Sequence, residues 1–121
     1  MKLFDVNPSR GGDDAITFSL SGELDLSTVD QLQSGLDACV NGRPELVVLD
    51  LRSLEFMDST GLRLMLRLDQ RLRGQNGRLV LVQGPPRVHR VFELTMATEE
   101  LEIVADPSEI GARSGDSDKS G

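Results

Sequence analysis

The chain is 121 residues long, carries a formal net charge of −7 and contains one cysteine, no Trp and no Tyr. That length suits one domain with its own core, the acidity and the lack of basic stretches interleaved with aromatic residues argue against a nucleic-acid partner, and a lone Cys39 allows no internal disulfide and no cysteine metal cluster. Neither a signal peptide nor an apolar run of the roughly 20 residues needed to cross a bilayer is evident, so the expectation is a cytoplasmic protein with no membrane partner and no resident cofactor or metal.

In chain order, residues 3–6 (Leu-Phe-Asp-Val) form a short strand candidate, and residues 7–14 are dense in turn formers. Residues 16–21 alternate Ile16, Phe18 and Leu20 with Thr17, Ser19 and Ser21, the pattern of a strand with one wet face. Gly22-Glu23-Leu24-Asp25 closes that strand. Ser27 with Asp30 and Thr28 with Gln31 have the spacing of a capping box, and Val29, Leu32, Leu36 and Cys39 form an apolar stripe. A helix is predicted from Thr28 to Val40, stopped by Asn41-Gly42-Arg43-Pro44. Cys39 on the stripe is expected to be buried packing.

Residues 46–51 (Leu-Val-Val-Leu-Asp-Leu) read as a strand buried on both faces and therefore central in its sheet. A helix is predicted from Ser59 to Arg73, with Leu62, Leu64, Met65, Leu66, Leu68 and Leu72 on one arc and Arg63, Arg67 and Arg71 on the opposite, solvated side. Asp58-Ser59-Thr60 stands at the junction, where the first amides of the helix lack partners and the dipole favours negative charge, a place suited to a phosphate. After Gly74-Gln75-Asn76-Gly77 come a buried strand over 79–82 and a third helix opened by Pro86, with Val88, Val91 and Phe92 at i, i+3 and i+4. His89, the sole histidine, is expected on that helix's surface. A last strand over 101–104 follows, and residues 111–121 are small and polar enough to be expected disordered.

The order β-β-α-β-α-β-α-β calls for right-handed crossovers and a mixed, mostly parallel α/β sheet of about five strands with three to four helices, as one domain over 1–110 and a tail over 111–121. Sites in such sheets lie beyond the carboxyl ends of the strands, so Asp25 and Asp58-Ser59 are expected to share one rim. A phosphoacceptor receiver fits poorly: Asp50 lacks an acidic pair after the first strand and a late lysine outside the tail. A serine hydrolase fits no better, because Asp-Ser-Thr-Gly is not the Gly-x-Ser-x-Gly elbow.

Residues 22–25 with Thr28, residues 49–51, the string Phe56-Met57-Asp58-Ser59-Thr60-Gly61-Leu62, and residues 86–92 together resemble the STAS domain, and within that group the bacterial anti-sigma factor antagonists. The resemblance implies a non-enzymatic partner switch. Ser59 would be phosphorylated by an anti-sigma factor that is itself a serine kinase, the unphosphorylated form would bind that factor and release the sigma factor, the phosphorylated form would not bind, and a serine phosphatase would return it to the unphosphorylated form. It places Asp25, Thr28, Asp58, Thr60, Gly61 and Arg63 in partner binding. The alternative is a non-switching interaction or small-ligand module of a transporter or signalling assembly. Two departures from the family pattern stand out: in place of a further amphipathic helix, residues 105–121 offer at most a few turns around Pro107-Ser108-Glu109-Ile110 before a polar tail, and residues 96–100 lack the glycine often found after the third helix.

Overall fold

The computed structural model describes residues 3–11 and 14–110. In chain order its elements are β1 (Asp5–Arg10), β2 (Ala15–Leu24), α1 (Val29–Val40), β3 (Leu46–Met57), α2 (Ser59–Arg73), β4 (Arg78–Val82), α3 (Pro86–Leu94), a 3-10 turn (Ala97–Glu99) and β5 (Glu102–Val104). The strands lie side by side in sequence order; β1 runs antiparallel to β2, and β2 through β5 are parallel. This is the mixed α/β sheet expected from the alternation of strands and helices, with β3 at its centre.

One face of the sheet carries the main core. Phe18 and Leu20 from β2, Val47, Leu49 and Leu51 from β3, and Leu79 and Leu81 from β4 are buried there with Leu32 and Leu36 of α1, Leu62, Met65 and Leu72 of α2, and Val88 and Phe92 of α3. α1, α2 and α3 therefore cover the same face, whereas the helical residues 108–110 lie on the other. On the reverse, Val48, Val80, Val82 and Val104 form a smaller apolar patch capped by Ile110. The β2 residues on that side are Thr17, Ser19 and Ser21, which is why β2 alternates while β3 and β4 read as unbroken apolar runs.

Several boundaries depart from expectation. β1 begins later and runs through Asn7-Pro8-Ser9-Arg10, residues that looked like a turn; each is paired with β2, Pro8 opposite Phe18. An outermost strand tolerates a proline because one side of its backbone needs no partner. β2 continues to Leu24, with register shifts after Ser19 and Gly22, and Gly22 has φ +87 where a Cβ would drive into the Leu3 carbonyl. β3 is twice the predicted length: beyond its last pair with β4, Asp50 to Val82, it goes on alongside β2 as far as Met57. The capping box before α1 does not form; Thr28 is the N-cap residue by position, but its side chain bonds no amide of the helix.

Other side chains also depart from expectation. Cys39 is only partly buried, with its thiol pushed up by burial. His89 is mostly buried against Phe92, with Nδ1 unpaired among the described residues and Nε2 3.8 Å from Glu93. Asp69 is buried on α2 beside Arg73, and burial raises its pKa. The expected tail over 111–121 lies outside the described residues.

Candidate functional site

The rim is built by the ends of two neighbouring strands. β2 ends at Leu24 opposite Met57, the last residue of β3, and the Asp58 N–H donates to the Leu24 carbonyl at 3.2 Å. Asp25 and Asp58 thus emerge side by side, as expected from the topology. Asp58 is the N-cap of α2, in extended conformation, its Oδ1 accepting from the Thr60 N–H at 2.9 Å. Ser59 follows as the first helical residue and is exposed, and among the described residues its hydroxyl makes no hydrogen bond to protein.

Ser59 is exposed but its support is not. Leu62, Leu64, Met65, Leu68 and Leu72 are buried along α2, so the first turn is held by the core rather than by helix propensity alone. Gly61 contributes by closeness. A Cβ there would stand 2.8 Å from Leu24 Cδ2, 2.9 Å from Leu24 Cγ and 3.0 Å from Met57 Cγ, so only a glycine lets α2 start tight against the strand ends.

The neighbouring turn is knitted by its own polar groups. Asp25 Oδ1 accepts from the Ser27 hydroxyl at 2.7 Å and the Ser27 N–H at 3.0 Å. These bonds, the hydroxyl's first, hold the carboxyl below its ordinary range despite some desolvation. Thr28 Oγ1 accepts from the Asp25 N–H at 3.0 Å and donates to the Glu23 carbonyl at 2.9 Å.

The residues expected to bind a partner therefore divide. Asp25 and Asp58 line the rim half-buried, and Arg63 is exposed one turn into α2. Thr28 and Thr60 are half-buried, the Thr28 hydroxyl engaged with the loop backbone and the Thr60 N–H with Asp58, and Gly61 is buried at the start of α2. Two rim side chains went unanticipated: Leu26, 76% exposed, and Phe56, 44% exposed. Leu26 could have been noticed as an apolar residue inside a polar turn; Phe56 was hidden in a stretch assigned to the junction. Among the described residues no cluster of His, Cys, Asp and Glu is arranged to hold a metal, and no helix is long and apolar enough to cross a membrane.

The family model described as the STAS domain matches residues 8–110, which takes in every strand and the rim. The chain belongs to the STAS domain family. Within it, the chain is 35% identical over 77 residues to the anti-sigma F factor antagonist of Paenibacillus polymyxa, covering 63% of this chain and 66% of that one. It is 30% identical over 90 residues to the anti-sigma-B factor antagonist of Listeria monocytogenes, covering 74% and 79%. An anti-sigma factor antagonist from Mycobacterium paratuberculosis has the same fold, with TM-score 0.81 at 24% identity over 88% of this chain and 90% of that one. So does SpoIIAA in its unphosphorylated form, with TM-score 0.78 at 22% identity over 92% and 97%. These relatives place this STAS domain among the anti-sigma factor antagonists.

Proposed function

We propose that this STAS domain is the phosphorylatable member of a partner switch. Unphosphorylated, it binds an anti-sigma factor that is also a serine kinase and so frees the sigma factor; phosphorylated on Ser59, it lets go, and a serine phosphatase resets it. The observation that carries this reading is an exposed hydroxyl at the first position of a helix whose next turn is locked into the core. In the transfer, a bond forms between Ser59 Oγ and the γ-phosphorus of ATP, the bond to the ADP oxygen breaks, and the hydroxyl proton passes to a base of the kinase. This chain supplies the acceptor and its positioning.

A phosphate adds about −1.5 to −2 charges at pH 7. At a helix N-terminus those charges meet the favourable end of the dipole, so the fold tolerates them. In keeping with that, SpoIIAA has been solved in unphosphorylated and phosphorylated forms, which match this chain with TM-scores of 0.78 and 0.70. The effect falls on the partner. Like charges about 5 Å apart repel by roughly 3 kcal/mol at an effective dielectric near 20, and about 1.4 kcal/mol changes affinity tenfold. The rim is already acidic through Asp25 and Asp58, and Leu26 and Phe56 offer it apolar anchors.

The test is to incubate the protein with candidate anti-sigma kinases and ATP and follow mass and complex formation. Wild type should gain one phosphate and lose binding, Ser59→Ala should stay bound and unmodified, and Ser59→Asp should bind poorly. A wild type that no kinase modifies, together with a Ser59→Asp variant that binds normally, would sink the proposal in favour of a non-switching module.

A further inference from the structure

On α2 the acceptor and three arginines recur every four residues: Ser59, Arg63, Arg67 and Arg71. Side chains four apart on a helix are neighbours, with Cβ atoms about 5–6 Å apart. Arg71 is engaged elsewhere, donating to Asp37 at 2.8 Å and to Asn41 at 3.0 Å. Arg63 is exposed, and side chains of an α-helix tilt toward its N-terminus, over the preceding turn, which here is the turn that holds Ser59.

The acidic side chains that adjoin Ser59 in the sequence and at the strand ends are negative charges. Asp58 precedes it and already occupies the Thr60 amide, and Asp25 follows β2 at the strand end paired with that of β3. A phosphate on Ser59 would enter an acidic neighbourhood in which one amide of the first turn is taken. Arg63, four residues on along the same helix, is a cation within reach of it.

We infer that Arg63 is the internal counter-ion of phosphorylated Ser59, folding back one turn to form a charge-assisted pair with the phosphate. This rests on Ser59 being the acceptor. The pair gives the modification a second consequence: phosphorylation adds negative charge and also withdraws the first arginine of the α2 row from any docking partner.

Phosphoserine is incorporated at position 59 during translation, so that no kinase is needed, and the phosphate is titrated by phosphorus NMR in wild type, Arg63→Gln, Arg63→Lys and Arg67→Gln. A unit charge about 5 Å away in a water-like dielectric corresponds to roughly half a pKa unit. The phosphate of Arg63→Gln should therefore titrate about half a unit higher than that of wild type, with Arg63→Lys between them and Arg67→Gln unchanged. An Arg63→Gln phosphate that titrates as in wild type overturns the pairing. So does an equal shift in Arg67→Gln, which would mark a diffuse field rather than a pair. Because the phosphate is installed directly, this result is independent of whether any kinase recognises the protein; failure of the kinase experiment with an intact Arg63 effect would count against the switch alone.

Discussion

Gly35 and Gly61 lie inside α1 and α2, and replacing each by alanine separates helix propensity from packing. In a helix interior the change is worth about 1 kcal/mol in favour of alanine. At Gly35 an added Cβ meets nothing within 4 Å, so Gly35→Ala should stabilise by close to that amount. At Gly61 the same methyl would press on Leu24 at 2.8 and 2.9 Å and on Met57 at 3.0 Å. Leu24 is fully buried and Met57 nearly so, which leaves them little room to move. Overpacking of this kind costs about 1–3 kcal/mol, so Gly61→Ala should range from neutral to about 2 kcal/mol destabilised, and the two variants should differ by about 1–3 kcal/mol. Urea unfolding at fixed pH reads both, with slopes typically about 1–3 kcal/mol/M for small proteins. Equal rises in midpoint for the two variants would refute the claim that α2 is set against the strand ends by the absence of a side chain.

Met96 follows α3 with φ 65 and ψ 17, the left-handed conformation in which glycine is at ease. Met96→Gly should therefore stabilise by about 1 kcal/mol in thermal or urea unfolding. Asp58→Ala removes the cap on the Thr60 amide and should destabilise by about 1 kcal/mol, with slower phosphorylation of Ser59 as the first turn loosens. Leu26→Ala should weaken the complex with an anti-sigma factor roughly tenfold by calorimetry while leaving unfolding unchanged, as for an exposed anchor that becomes buried only on binding. Asp50 is held below the ordinary carboxylate range first by its bond to the Arg52 side chain. Its contribution is present above the unfolded-state value near 3.8 and is lost as pH falls through the lower native value. Asp50→Asn should accordingly flatten the acid limb of stability measured against pH.

The sequence located α2 to the residue because three signals agree there: a capping aspartate, an apolar arc at helical spacing and a glycine at the end. The rim was legible for the same reason, since strand ends followed by acidic residues in a parallel sheet meet on one side. What escaped was decided by pairing across the chain. Pro8 and Ser9 look like turn residues and become strand because β2 supplies partners. The second half of β3, Arg52-Ser53-Leu54-Glu55-Phe56, breaks strict alternation where the register with β2 slips, so no periodicity announced it. Thr28 was correctly placed before α1, but its hydroxyl is claimed by the Glu23 carbonyl and the Asp25 amide, a competition that spacing alone does not reveal. Gly61 stood out by its motif, and only the closeness of Leu24 shows that its importance lies beneath the surface.

The strands of this sheet never reverse their order, and that has a bearing on what the molecule can be. In parallel sheets the crevice that admits a ligand opens where successive connections depart to opposite sides; here the helices that connect the strands, α1, α2 and α3, all lie on one side. Ser59 is consequently presented at the exposed start of α2, and not at a point where successive connections change sides.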